Sequence, residues 1–188
     1  MDRRLKYTKK VIKDAFLSLL EKKDLNKITV SEICSIADIN RATFYRYYLD
    51  IYDLFDKIQE EFVEKLKLSI DSDSYKYTVS SFCKGLLETL LEEKNLAKII
   101  FNINNNLLFL NDILEIVYSY CYNNWKRDFP NVSQEDVEYA TVYIFNGALG
   151  IINFWIKNDF DKDVDEIANL IQNISYFGIE KFIYNKQS

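Results

Sequence analysis

The sequence predicts an all-α fold in two parts. Residues 1–50 form an N-terminal three-helix helix-turn-helix domain, continued by a connecting helix over 51–68. Residues 69–188 form a C-terminal helical bundle. Three observations point this way. The 188 residues contain one Pro and four Gly, too few breakers for a fold of strands and tight turns. Apolar residues recur three and four positions apart in long segments, the spacing of one face of an α-helix. Ser, Thr, Asn and Asp stand where those segments begin, as N-caps require. Apolar residues are 48% of the chain, enough for a packed core.

In chain order, Asp2 to Lys6 reads as a basic arm. Thr8 is placed to cap a first helix to about Lys23, with Val11, Ile12, Ala15, Phe16, Leu19 and Leu20 as its stripe. Lys9, Lys10 and Lys13 lie beside that stripe, either solvated or near an anionic partner. Asp24 to Lys27 is a loop. Asp50 caps a helix to about Leu68, with Leu54, Phe55, Ile58, Phe62 and Leu66 inward. The polar run Asp71-Ser72-Asp73-Ser74 marks the domain boundary. Beyond it, a helix is expected over 76–93 and a shorter one capped by Asn95. The run Asn104-Asn105-Asn106 breaks the pattern. Asn111 or Asp112 opens a helix to about Asp128, and Pro130 closes that region. Ser133 with Asp136 opens a helix to about Asn158, and Asp163 with Glu166 opens the last one.

The stretch Thr29–Tyr48 carries the most information. Thr29 and Glu32 have capping-box spacing. Ile33, Ile36 and Ala37 follow on one face of a short helix. Asp38-Ile39-Asn40 then breaks the pattern: Asp tolerates left-handed backbone, and Asn40 is a good N-cap. The second short helix bears Arg41, Thr43, Tyr45, Arg46 and Tyr47, while Phe44 and Tyr48, four apart, face inward. An Arg-, Thr- and Tyr-bearing helix held by an apolar one across a tight turn has the geometry of a helix-turn-helix reader. The net charge of −5 argues against DNA binding, but its distribution does not. Residues 1–50 hold 11 Lys+Arg and 7 Asp+Glu, a balance of +4, and the remainder carries −9. Phosphate contact is local, so a basic head on an acidic body is compatible with it.

Residues 8–66 resemble the DNA-binding region of the TetR family of bacterial transcription regulators. The residues that carry the likeness are Ile28-Thr29-Val30, Ile33, Ala37, Asn40, Thr43-Phe44-Tyr45-Arg46-Tyr47-Tyr48, Leu54 and Phe55. Asp38-Ile39-Asn40 stands where the family usually has Gly-Val-Ser, and Ile51 where it usually has Lys. The resemblance implies that Tyr47 contacts a phosphate. Arg46, Tyr45 and Thr43 would meet base edges or nearby phosphates in a double-stranded operator, and Thr29, Asn40 and Arg41 would help fix the protein on the backbone. It also implies a homodimer built on the last two helices, an unidentified small-molecule effector in the second domain, and repression as the sign of control.

The residues offer candidates for both roles of the second domain. Gly147 and Gly150 remove bulk from an otherwise large-residue helix and permit close approach. Ile144, Ile151, Phe154 and Trp155, with Ile171 and Ile174, supply apolar area for a partner copy or for packing within the chain. Phe82, Phe101, Tyr118, Cys121, Tyr122, Trp125 and Tyr143 are candidates to line a pocket for an apolar or aromatic molecule; a plain packed core is the alternative.

An enzyme is not expected. There is no His, hence no ordinary triad base and no His metal site. No Gly-rich phosphate loop exists, and no cofactor or metal is expected. Cys34, Cys83 and Cys121 lack motif spacing, which fits a reducing cytosol and a cytoplasmic protein. No signal peptide is read, and the most apolar run, Ala148 to Ile156, is short for a bilayer span, so no membrane partner is expected. A rival to DNA binding is a helical adaptor or coactivator of the same fold acting through a protein partner.

Overall fold

In a computed structural model of the chain, residues 3–69, 79–102, 107–128 and 132–187 are described, and they contain helices joined by short connections. The chain divides into two compact units, one up to Phe62 and one from Val63 on. The division therefore falls inside a helix. The Asp71–Ser74 run, where the sequence places it, lies outside the described residues, as do Asn104–Asn106 and Pro130.

The first unit contains α1 (Arg3–Leu20), a 3-10 turn (Leu25–Lys27), α2 (Val30–Ile36), α3 (Arg41–Tyr45) and the first turns of α4 (Ile51–Ser69). Helix α1 starts five residues before the expected cap. Thr8 sits within it and donates its hydroxyl to the Arg4 carbonyl at 3.0 Å, a back-bond to the preceding turn rather than a cap. Arg3 to Lys6 is thus helix, not an arm. The stripe of α1 meets that of α4: the Phe16 and Phe55 rings are 6.0 Å apart, and Lys13 faces Glu61 at 3.8 Å. Ile12, Phe16, Ile33, Phe44 and Leu54 are fully buried.

The capping box at α2 is complete. The Glu32 amide donates to the Thr29 hydroxyl oxygen at 3.3 Å, and the Thr29 amide donates to the Glu32 carboxylate at 3.0 Å. Lys23 adds a pair to that carboxylate at 2.6 Å. This bond from Lys23, then those from Thr29, hold the Glu32 carboxyl below its ordinary value. A carboxyl lowered on folding stabilises the native state above its ordinary range, and that stability is lost as pH falls through the folded-state value. The first unit should therefore weaken as pH drops below the ordinary value of 4.5. Urea unfolding across that window should show a shallower pH dependence for Glu32→Gln than for the unaltered chain.

The second unit contains the end of α4 with α5 (Val79–Glu92), α6 (Lys94–Asn102), α7 (Leu107–Asp128), α8 (Gln134–Lys157) and α9 (Val164–Gln187). Helix α5 packs along α9, and α8 packs on α6, α7 and α9. Two starts differ from the sequence reading. Helix α6 begins at Lys94, so Asn95 lies in its first turn, and α7 begins at Leu107, ahead of Asn111 and Asp112. Ser133 does cap α8, its oxygen accepting from the Asp136 amide at 3.1 Å, and Asp163 accepts from the Glu166 amide at 2.8 Å. The α8–α9 corner closes on Asp159 and Phe160, both left-handed at φ 59°. Trp155 anchors it: its indole N–H donates to the Lys162 carbonyl at 2.8 Å, and its ring meets Phe160 edge-on at 4.8 Å.

Helix α8 corrects one expectation. The short run at Ala148–Ile156 belongs to a 24-residue helix whose most apolar stretch has mean hydropathy 1.3, long and apolar enough by composition to cross a membrane. Only 28% of that stretch is buried. Asn146 and Asn153 interrupt it, and it carries the packing against α6, α7 and α9.

Helices α4 and α5 approach closely at Gly85. A Cβ built on Gly85 would lie 2.5 Å from the Ser69 carbonyl oxygen, closer than van der Waals contact permits, and that neighbour is backbone. Lys65 of α4 also pairs with Glu93. Gly85→Ala should force the two helices apart and cost about 1–3 kcal/mol, read as a lower urea midpoint.

Candidate nucleic-acid interface

The first unit presents one short helix to solvent in a defined pose. Helix α2 ends at Ile36 with Ala37 as its C-cap, and Asp38 takes the left-handed conformation at φ 50°. The Ile39 amide then donates back to the Cys34 carbonyl at 3.0 Å, the reversal that closes a helix on a left-handed residue. Asp38 thus fills the place of the family's usual glycine, using the tolerance of Asp for this backbone. Asn40 caps α3: its Oδ1 accepts from the Thr43 amide at 2.7 Å and from the Thr43 hydroxyl at 2.9 Å.

Phe44 points inward and is fully buried, with the Tyr45 ring edge-on at 5.5 Å and Tyr48 at 5.6 Å. Burial first, then the nearby carboxylates Glu61 and Asp53, push the Tyr48 hydroxyl up to about 12. With Phe44 and Tyr48 inward, Arg41, Tyr45 and Arg46 are all exposed, Tyr45 by 55%. Tyr47 and Thr43 are half-buried. Thr29 is exposed, but its hydroxyl serves the capping box, and the Thr43 hydroxyl serves Asn40. The outward set able to meet a new partner is therefore Arg41, Tyr45 and Arg46, with the edge of Tyr47. Ile51 is buried in the core of the unit. Sequence reasoning missed Leu49 and Tyr52, both largely exposed beside α3. Nothing in the apolar pattern marks them, since both are hydrophobic residues next to a buried run.

The second unit sorts the remaining candidates. Phe82 is buried and stacked on Tyr120 at 4.0 Å. Phe101 meets Phe109 edge-on at 6.2 Å, Tyr118 stacks on Tyr122 at 5.9 Å, and Trp125 is buried. The Cys121 side chain lies outside the described residues. Of these candidates, Phe82 and Trp125 are buried and Phe101, Tyr118 and Tyr122 half-buried, whereas Tyr143 is 76% exposed. Asn124 Oδ1 of α7 and Thr141 Oγ1 of α8 are buried without a hydrogen-bond partner among the described residues.

Two of the interface candidates also move. Trp155 and Ile171, 1% and 2% exposed, are used inside the protomer, because each lies on the inward stripe of its helix. Phe154 (69%) and Ile174 (56%) are exposed, Ile144 and Ile151 are half-buried, and among the described residues nothing lies within 4 Å of a Cβ built on Gly147 or Gly150. Tyr139, Tyr143, Gly147, Gly150 and Phe154 follow one another at three- or four-residue steps along α8, so they form a single outward stripe.

Comparison with known proteins agrees with this architecture. Residues 77–176 match a TetR-type family model described as a transcriptional regulator C-terminal region. The chain is 33% identical over 136 residues to the uncharacterized HTH-type transcriptional regulator YxbF of Bacillus subtilis (strain 168), covering 71% of this chain and 32% of that protein. The chain thus spans about a third of the length of that curated relative. Among solved structures, the dihydroxyacetone kinase operon activator DhaS aligns with TM-score 0.65 at 23% identity, covering 92% of this chain and 96% of that one. The transcriptional regulator FadR from Bacillus subtilis in complex with stearoyl-CoA aligns with TM-score 0.65 at 20% identity, covering 88% and 96%. These likenesses show a shared fold, and the relatives found are transcriptional regulators rather than enzymes. With half of its length matched by the family model and its N-terminal motif built as a capped helix-turn-helix, the chain belongs to the TetR family of transcriptional regulators.

Proposed function

We propose that the protein is a sequence-specific DNA-binding regulator of transcription that reads a palindromic operator as a homodimer and answers to a small-molecule effector. One observation carries the reading: α3 buries Phe44 and thereby shows Arg41, Tyr45 and Arg46 to solvent from a capped, rigid mount. An arginine on such a helix can make two parallel hydrogen bonds to guanine in the major groove. Repression is the sign that the family resemblance favours, and a cytoplasmic location accompanies the role. Arg46→Ala should weaken binding to a duplex selected from a random library by about tenfold or more, with a smaller loss on random duplex. Affinity unchanged from the unaltered protein on both duplexes, measured across a salt series, would remove Arg46 from the reading.

A single reading head spans few base pairs, and two heads related by a twofold axis give useful specificity. The outward stripe of α8 supports a partner copy. Tyr139, Tyr143 and Phe154 supply apolar area, and Gly147 and Gly150 leave room for a close neighbour. Leu170 and Ile174 add exposed apolar surface on α9. Because none of the described residues comes within 4 Å of a Cβ at Gly147, Gly147→Leu should leave the protomer folded. It should shift a sedimenting dimer to monomer at micromolar concentration, whereas an unchanged dimer would place the interface elsewhere.

The effector reading rests on Asn124 and Thr141. Two buried oxygens without donors among the described residues are costly unless something supplies a hydrogen bond, and a mostly apolar molecule with one or two donor groups would do so. The similar FadR structure holds stearoyl-CoA. Ile51 favours a second reading, an adaptor or coactivator acting through a protein partner. It is buried where the family usually has a cation, and exposed Leu49 beside it is apolar. A gel shift at low salt with DNA from upstream of the protein's own gene separates the two.

A further inference from the structure

One lysine of the first unit reaches back ten residues to the end of α3. The Lys57 ammonium donates to the Tyr47 carbonyl at 3.2 Å and to Asp53 Oδ2 at 2.9 Å, and it lies 5.4 Å from the centre of the Tyr48 ring. Asp53 Oδ2 also accepts from the Leu49 amide at 2.8 Å. Asp50 Oδ1 accepts from the Tyr52 and Asp53 amides, both at 2.8 Å. The whole turn from α3 into α4 is thus tied from the α4 side. The Lys57 ammonium, with the Leu49 amide adding to it, holds the Asp53 carboxyl below its ordinary value.

Helix α3 has five residues, Arg41–Tyr45, far too few to persist unaided. Its start is fixed by Asn40 and its inner face by Phe44. At its far end, backbone carbonyls need donors, and a cation there is favoured by the helix dipole. Tyr47 and Arg46 follow that end directly, so whatever fixes the Tyr47 carbonyl fixes where these two side chains stand.

We propose that Lys57 is a positioning residue for the DNA-reading helix: it clamps the Tyr47 carbonyl and Tyr48 ring and so sets the angle at which Arg46 and Tyr47 are presented. This rests on the DNA-binding reading. The Lys57 charge is engaged by Asp53 and the Tyr47 carbonyl, so it acts on sequence discrimination and not on phosphate neutralisation.

The test uses the full chain with Lys57→Met, which keeps the aliphatic stem, and Lys57→Arg, which keeps the cation. Asp53→Asn is a second lesion should Lys57→Met fail to fold by circular dichroism. Affinity is measured against salt for a duplex selected from a random library with the unaltered protein, and for random duplex. Lys57→Met should lose about tenfold on the selected duplex, the size of one charge-assisted hydrogen bond. Its salt slope and random-duplex affinity should not change, and Lys57→Arg should restore most of the loss. Affinity unchanged on both duplexes overturns the proposal. So does an equal fall on both with a salt slope shallower by about 0.9, which marks a phosphate contact. Hydrogen exchange of the Tyr48 and Leu49 amides in the free protein gives an answer without DNA. Faster exchange in Lys57→Met supports the clamp and unchanged exchange overturns it. If the unaltered protein selects no duplex, the DNA-binding reading fails, and the exchange result still judges the clamp.

Discussion

The burial of Phe44 is the constraint on which the first unit turns. A helix as short as α3 gains too few internal hydrogen bonds to repay its own ordering, so its existence depends on a side chain seated in the core formed by α1, α2 and α4. Phe44 is that side chain, and Tyr48 follows it four residues later. With these two rings facing inward, helical geometry turns Arg46 to the opposite side, and Arg41 and Tyr45 are exposed beside it. The presented surface is thus a by-product of core packing. It is rigid because the core is close-packed and both ends of the helix are tied.

The caps explain why so much of this unit was legible beforehand. Thr29 with Glu32 and Asn40 with Thr43 act over three residues, as Ser133 with Asp136 does in the second unit, so residue type and spacing nearly determine the bond. Asp38 was legible for the same reason, since its left-handed backbone is a local property. The misplaced starts have the converse cause. Thr8 and Asn95 have cap chemistry, but nothing local says whether the helix has already begun, and in both cases it has. A cap signal marks a permitted start, and neighbouring packing decides whether it is used.

Residue function in the second unit was harder to read. Hydrophobic periodicity reveals that a helix has an apolar face, but not whether its own chain covers that face. Trp155 and Phe154 are sequence neighbours with the same aromatic signal, yet one lies in the protomer's interior and the other faces outward. Tyr143 looked like a pocket residue by type and stands on the outer stripe. Lys57 gave no signal at all. Its partners lie four, nine and ten residues back, around a turn whose course only the folded chain discloses.

The corner between α8 and α9 carries a consequence for how this chain tolerates change. Asp159 and Phe160 are consecutive L-residues in a backbone region that costs each about 1–2 kcal/mol. Glycine would relieve that torsional burden at either position, but with different losses. At Asp159 it would remove a surface ion pair with Lys98, the weakest kind of contact. At Phe160 it would strip the ring that closes over Trp155 and leave a void beside the largest side chain in the interior. One residue of the pair is therefore free to drift toward an easier backbone, while its neighbour is held in a costly conformation by the aromatic contact it makes.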